Sequence, residues 1–247
     1  MPKNYSTRQE LIDFYSKPKR AKLYSEKWEG FKYLVRNKRQ VSIVNDFIRR
    51  VSPEVVLDVG IGNARLARHL KGIKKGIGVD TSKSMLELAR KELGKNWGVV
   101  EGDAFKLPIK KGSIDLLIST RLLRILNKSD RGRLLQSFRE TLKNNGFLVI
   151  DALNQKALFE SKGEPEKNIK SYYCTKKELV QELEENGFKV VEMKSVFNYY
   201  FIKRFLLRYE GKKFRKLALF LMNLSEKLGN VNALEWLLLC QKAQTKP

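Results

Sequence analysis

Short apolar runs rich in β-branched residues alternate along this chain with segments in which apolar residues recur every three or four positions. The runs at 55–59, 76–80, 99–103, 114–120, 147–151 and 188–193 have the length and composition of buried strands. Between them, residues 66–70, 84–90, 129–142 and 175–187 carry helical spacing. Ser84 with Glu87 and Thr175 with Glu178 read as capping boxes, and Ser129 as a further cap. Asn145-Gly146 and Gly187 read as helix stops. Strands that alternate with helices in this way predict an α/β fold, a mostly parallel sheet wrapped on both faces.

Residues 5–50 read as helices with a break near Pro18. Leu11, Phe14 and Tyr15 form one apolar group, Leu23, Tyr24, Trp28, Phe31 and Leu34 a second, and Val41, Val44, Phe47 and Ile48 a third that runs to Pro53. A second individual stretch lies at 199–229. There Phe201, Phe205, Tyr209, Phe214, Leu217, Leu221 and Leu224 recur at helical spacing, and Lys203, Arg204, Arg208, Lys212, Lys213, Arg215 and Lys216 are expected on the opposite face. Such a basic amphipathic stretch can lie on an anionic membrane, track nucleic-acid phosphates, or cover the edge of the sheet with a solvated outer face.

The first strand, Val55-Val56-Leu57-Asp58-Val59, runs straight into Gly60-Ile61-Gly62-Asn63-Ala64-Arg65 and then a helical pattern. A strand, a glycine turn and a helix bring backbone close to a nucleotide-like ligand. A dinucleotide site requires a small residue three positions after the second glycine, and Arg65 stands there instead. The pattern Gly60-x-Gly62-x-Ala64 after Asp58 resembles the first motif of the class I S-adenosylmethionine (SAM)-dependent methyltransferases, with Ala64 where that family often has glycine. Gly102-Asp103-Ala104, Leu107-Pro108-Ile109 and Ser113-Ile114-Asp115-Leu116-Leu117 are similar to the family's Gly-Asp-Ala, Leu-Pro-Phe and Ser-Phe-Asp-Leu-Val segments in the same order.

The resemblance implies a doubly wound, seven-stranded sheet with the last strand, residues 234–240, antiparallel. It also implies a helical lid in residues 1–50, a SAM-binding core at 51–198, a basic insert at 199–230, and the final strand with its tail at 231–247. Asp80 lies twenty residues past Gly60, where a carboxylate can accept hydrogen bonds from both ribose hydroxyls. By the resemblance, Asp103 accepts from the adenine amino group while Ala104 and Phe105 line the base. Asp58, Gly60, Gly62, Ser82, Met85 and Thr120 complete the implied cofactor set. Tyr24 of the lid, Arg121 and Arg124 are the implied acceptor-side residues, Arg124 standing where many relatives carry histidine. No catalytic residue is implied, because an activated methyl donor needs chiefly a positioned acceptor.

A chain of 247 residues with 42% hydrophobic and 31% charged composition suits one globular domain with additions. No apolar run approaches the ~20 residues that span a bilayer, and the amino terminus lacks a signal pattern, so a cytoplasmic protein without a transmembrane segment is expected. Cys174 and Cys240 stand apart with no metal spacing. The formal net charge of +23 is the outlier. Its excess sits in the core and both flanks, while 151–198 is close to neutral. That field attracts polyanions, either RNA or an anionic membrane face, or it is the background of a thermophile. The fourth strand ends Ile118-Ser119-Thr120-Arg121, without the Asn/Asp-Pro-Pro-aromatic signature of base-amine methylation. Three readings stand: a SAM-dependent methyltransferase of an anionic acceptor such as RNA or another polyanion, one of a small molecule or membrane lipid or quinone, and a SAM-binding protein without catalysis.

Overall fold

The computed structural model describes residues 8–19, 23, 26, 31–156, 172–198, 214–226 and 233–244. Its strands are β1 (Val55–Val59), β2 (Lys75–Asp80), β3 (Trp97–Glu101), β4 (Ile114–Ser119), β5 (Leu142–Asn154), β6 (Tyr173–Cys174), β7 (Phe188–Val196) and β8 (Glu235–Lys242). They form one sheet in the order β3-β2-β1-β4-β5-β8-β7, and β6 pairs with the end of β5. β8 runs antiparallel to both β5 and β7, and every other pairing is parallel. The seven expected strands are all present, and β6 is an eighth of two residues, with Leu153 opposite Tyr173.

The helices are α1 (Arg8–Ser16), α2 (Phe31–Val51), α3 (Lys83–Glu92), α4 (Lys128–Thr141), α5 (Lys176–Glu185) and α6 (Arg215–Ser225). Successive strand side chains point to opposite faces, and that alternation divides the core. Leu57, Val59 and Leu117 pack with Leu134, Phe138, Leu179 and Leu183 of α4 and α5. Val56, Leu116, Ile118 and Val149 pack on the other face with Val44, Phe47, Ala218 and Met222 of α2 and α6. The third apolar group of the amino-terminal region is therefore core.

Several local expectations are corrected. Ser82, not Ser84, caps α3, because Asp80 already accepts the Ser82 N–H and fixes that residue extended, its hydroxyl facing the Met85 N–H. Asn127, not Ser129, caps α4, its side chain accepting from the Asp130 N–H at 2.9 Å. Thr175 and Glu178 do form a capping box, and Gly187 follows α5 with φ +78°. The helix expected after the glycine turn shrinks to one 3-10 turn, Ala67–His69, since Gly62 and Ala64 both take left-handed φ of about 55° and interrupt helical backbone. Asn145-Gly146 does not end α4. It lies inside β5, beside a register shift against Ile114, where any Cβ on Gly146 would approach the Ile114 carbonyl oxygen to 3.1 Å.

Of the insert, only its second helical segment lies within the described residues. α6 turns Ala218 and Met222 inward, while Leu217, Phe220, Leu221 and Leu224, with Phe214 just ahead of the helix, are exposed. Lys203, Arg204, Arg208, Lys212 and Lys213 lie outside the described residues. Periodicity records that apolar residues recur, not how many sides of a helix meet protein.

Two buried carboxylates give the fold its electrostatic character. Glu235, at the start of β8, accepts from the Arg36 guanidinium and, at 2.5 Å, from the Gln40 amide of α2. Burial works to raise this carboxyl, and the charges of Arg36, Arg124 and Arg121 outweigh it and hold it below the usual range. Glu235→Leu should cost about 3–5 kcal/mol by stranding a buried guanidinium. The double variant Arg36→Met/Glu235→Leu should lose less than the single one in urea unfolding; an equal or larger loss would show that the pairing does not matter.

Asp58 is the charged residue within β1. Burial pushes it from the ordinary 3.8 up to about 7, with Arg65 opposing and Asp80 reinforcing. The folded chain thus keeps a proton that the unfolded chain has released. Its contribution to stability is full below pH 3.8, falls as pH rises to about 7, and is flat above. Asp58→Asn should remove this slope, so that its stability relative to wild type rises across that window and then levels off in urea titrations at successive pH values.

Candidate functional site

The sheet runs outward from β1 in both directions, to β2 on one side and β4 on the other. Where strand order reverses like this, a crevice opens beyond the carboxyl ends. A cavity of about 150 Å³ lies there. Its floor is Val59, Gly60 and Gly62, its sides are Asp80, Thr81 and Met85 and then Gly102 to Phe105, and its far wall is Thr120, Arg121, Leu122, Ile125 and Leu126. Ile12 of α1 also lines it, and α1 is tied to α3 by the Ser84 hydroxyl, which donates to the Ser16 carbonyl oxygen at 3.2 Å.

The turn after β1 is held from β2. The Gly60 and Ile61 N–H groups donate to the Val79 carbonyl oxygen, and the Gly62 N–H donates to Asp80 Oδ2 at 2.9 Å. Asp80 Oδ1 meanwhile accepts from the Ser82 N–H at 2.9 Å. One carboxylate therefore joins the glycine turn to the start of α3. Burial raises the Asp80 carboxyl above its ordinary value, and these N–H donors oppose that shift without cancelling it. A Cβ added at Gly62 would meet no atom within 4 Å, so the space above this residue is open. Ala64, at φ +56°, shows why glycine suits that position.

Asp103 follows β3 in a tight turn, accepting the Phe105 N–H at 3.1 Å while its carbonyl oxygen accepts from the Lys106 N–H. At the end of β4, the Ser119 hydroxyl donates to the Val59 carbonyl oxygen, and Thr120 Oγ1 accepts from the Arg65 guanidinium at 3.4 Å. Arg65, which excludes a dinucleotide turn, is buried and also donates to Asn37 and Gln40. It thus ties the glycine turn to α2.

Of the cofactor residues expected from sequence, Gly60, Gly62, Asp80, Met85, Asp103, Ala104, Phe105 and Thr120 share the cavity. Asp58 and Ser82 stand behind its wall. Asp58 is buried in β1, and Ser82 is buried under α3 as its cap. Ile12, Thr81, Leu122, Ile125 and Leu126 were not expected. The spacing of Leu122, Ile125 and Leu126 after Thr120 is the signal that would have found the far wall.

The acceptor-side expectations divide. Tyr24 lies outside the described residues. Arg121 lines the cavity with left-handed backbone, φ +68°, its N–H donating to Asp151 Oδ1 at 2.5 Å. Arg124 corrects the expectation of a rim residue, for it is only 5% exposed and does not line the cavity. The 3-10 turn Leu123–Ile125 folds it under, and its Nε has no hydrogen-bond partner among the described residues. Burial, with Arg121 and Arg36 nearby, pushes the Arg124 guanidinium down to about 10, against the pull of Asp151 and Glu235. Three guanidiniums, Arg36, Arg121 and Arg124, thus share a field with two carboxylates, Asp151 and Glu235.

Residues 56–146 match the family described as a methyltransferase domain. The demethylmenaquinone methyltransferase of Thermotoga maritima is 40% identical over 110 residues, 43% of this chain and 47% of that protein. The chain thus spans about half the length of the curated relatives it matches. Among solved structures, magnesium protoporphyrin IX methyltransferase from Synechocystis with bound S-adenosylhomocysteine superposes at a TM-score of 0.66 and 12% identity, covering 96% of this chain and all of that one. A SAM-dependent methyltransferase from Thermotoga maritima superposes at 0.59 and 20%, covering 91% and 97%. Residues 56–146 thus match a methyltransferase domain, and the chain as a whole shares the Rossmann-like fold of these solved SAM-dependent methyltransferases.

Proposed function

We propose that this chain binds SAM in the cavity beyond β1–β4 and transfers its methyl group to an apolar acceptor that carries an ionised oxygen or comparable anion. The observation that carries the reading is the convergence of the glycine turn, Asp80 and Asp103 on one cavity. The open space above Gly62 leaves room for a ligand against backbone, and Asp80 presents a charged acceptor at the end of β2. Asp80 would take the ribose hydroxyls, and Asp103, Ala104 and Phe105 the base. Asp58 and Ser82 would position these groups from behind, and α1, through Ile12, would close over the site as part of a lid.

Bound SAM supplies an electrophilic methyl on a sulfonium, displaced in line by the acceptor. The chain's own task is then to hold the acceptor at the donor and keep water out. Ile12, Leu122, Ile125 and Leu126 supply an apolar wall, which suits an aromatic or lipid-like body. Arg121 lines the cavity, and a guanidinium there would stabilise an anionic acceptor atom. No protein base is then needed. The single histidine, His69, is exposed and outside the cavity lining. The Thermotoga maritima relative is named a demethylmenaquinone methyltransferase, and an acceptor of that chemical kind would suit this wall.

Incubation with methyl-labelled SAM, extracted isoprenoid quinones and, separately, total RNA tests the acceptor class. Label in the organic phase is expected, and label confined to RNA would reverse the assignment. Asp80→Asn should weaken SAM binding in calorimetry by roughly tenfold to a hundredfold, about 1.5–3 kcal/mol for a lost charged acceptor. Its unfolding free energy should fall by only about 1 kcal/mol; the opposite balance would make Asp80 purely structural. Arg121→Gln should raise the acceptor's KM roughly tenfold or more while SAM affinity stays within about twofold. If SAM affinity falls as far as the acceptor's, Arg121 serves the donor instead.

A further inference from the structure

Five of the nine large hydrophobic side chains exposed among the described residues, Phe214, Leu217, Phe220, Leu221 and Leu224, belong to α6 or its first flank. They are 39–62% exposed. At 3.6 residues per turn they fall in one arc of about 120°, and Ala218 and Met222 in the adjoining arc. The second arc is spent against the core, with Val44 and Phe47 of α2 in the same cluster. The first arc faces outward. A contiguous apolar patch of this kind on a highly charged protein marks a contact surface rather than random exposure.

The charge of the sequence that leads into α6 decides what the patch meets. From 203 to 216 the sequence holds seven lysines and arginines against one acid, Glu210, and two of the cations, Arg215 and Lys216, open the helix itself. Two copies of such a segment would repel each other. Nucleic-acid phosphates would pair with the cations but leave five large apolar side chains in water. An anionic bilayer satisfies both, taking the apolar arc below its headgroups and the cations among them.

We infer that the outer face of α6, with its basic flank, docks this protein on an anionic lipid bilayer. This goes beyond the methyl-transfer reading and would bring the cavity to an acceptor that resides in a membrane. The test uses the full chain with vesicles of equal parts phosphatidylglycerol and phosphatidylcholine, and with vesicles of phosphatidylcholine alone. Binding to the anionic vesicles should exceed binding to the neutral ones by tenfold or more. Leu217→Ser/Phe220→Ser/Leu224→Ser should reduce it at least tenfold at any salt, with circular dichroism and SAM affinity unchanged. Phe220→Trp should add a blue shift in emission on the anionic vesicles beyond that of the wild type. Absence of binding, or binding that the triple variant keeps, would overturn the inference. So would light scattering that shows a dimer in the wild type and a monomer in the variant, which would give this face to a second copy. The vesicle assay requires neither SAM nor an acceptor, so its outcome is separate from that of the methyl-transfer experiments.

Discussion

The Asp80 carboxylate joins two chain segments, the turn after β1 and the start of α3. One oxygen accepts from Gly62 in the turn after β1, and the other accepts from Ser82 ahead of α3. Parallel strands leave their carboxyl ends without a hairpin to join them, so the geometry of the crevice rests on contacts of this type. The extended conformation imposed on Ser82 aims its hydroxyl at the Met85 N–H and starts α3 there. Met85 then faces the cavity and Leu86 and Ala89 the core. A single acidic side chain thus sets the mouth of the site, the cap of a helix and the packing beneath it.

A second layer of buried polar contacts stands behind the site and draws distant parts of the chain together. Arg65 reaches from the glycine turn to Asn37 and Gln40 of α2, and Gln40 and Arg36 reach on to Glu235 of β8. Asp151 extends the same field from β5 to the backbone of Arg121. Such buried charges contribute little net stability when paired, yet removing one partner is costly. The network therefore fixes where α2 and β8 sit relative to the site more than it strengthens the fold.

How this was legible in the sequence differs from residue to residue. Asp58, the two glycines, Asp80 and Asp103 each stand at the end of a recognisable apolar run or within one, and parallel strands place all such ends on one side. Their grouping in space followed from order along the chain. Arg65 was legible only as an exclusion, since its role depends on Asn37 and Gln40, more than twenty residues earlier. The caps Ser82 and Asn127 were displaced by two residues from the expected ones, because a cap is chosen by which backbone conformation its neighbours impose.

What the sequence determined by itself was the strand and helix alternation, the glycine turn and the acids that follow at strand ends, because these depend on local periodicity and backbone conformation. What only the tertiary structure decided was burial. Arg121 and Arg124 are three residues apart and look alike in sequence, but the turn at Leu123–Ile125 sends the second under the first, away from the cavity. Likewise α6 spends one apolar arc on the core and shows another to solvent. Periodicity fixes which side chains share a face, and only the packing of elements far apart in the chain fixes what that face meets.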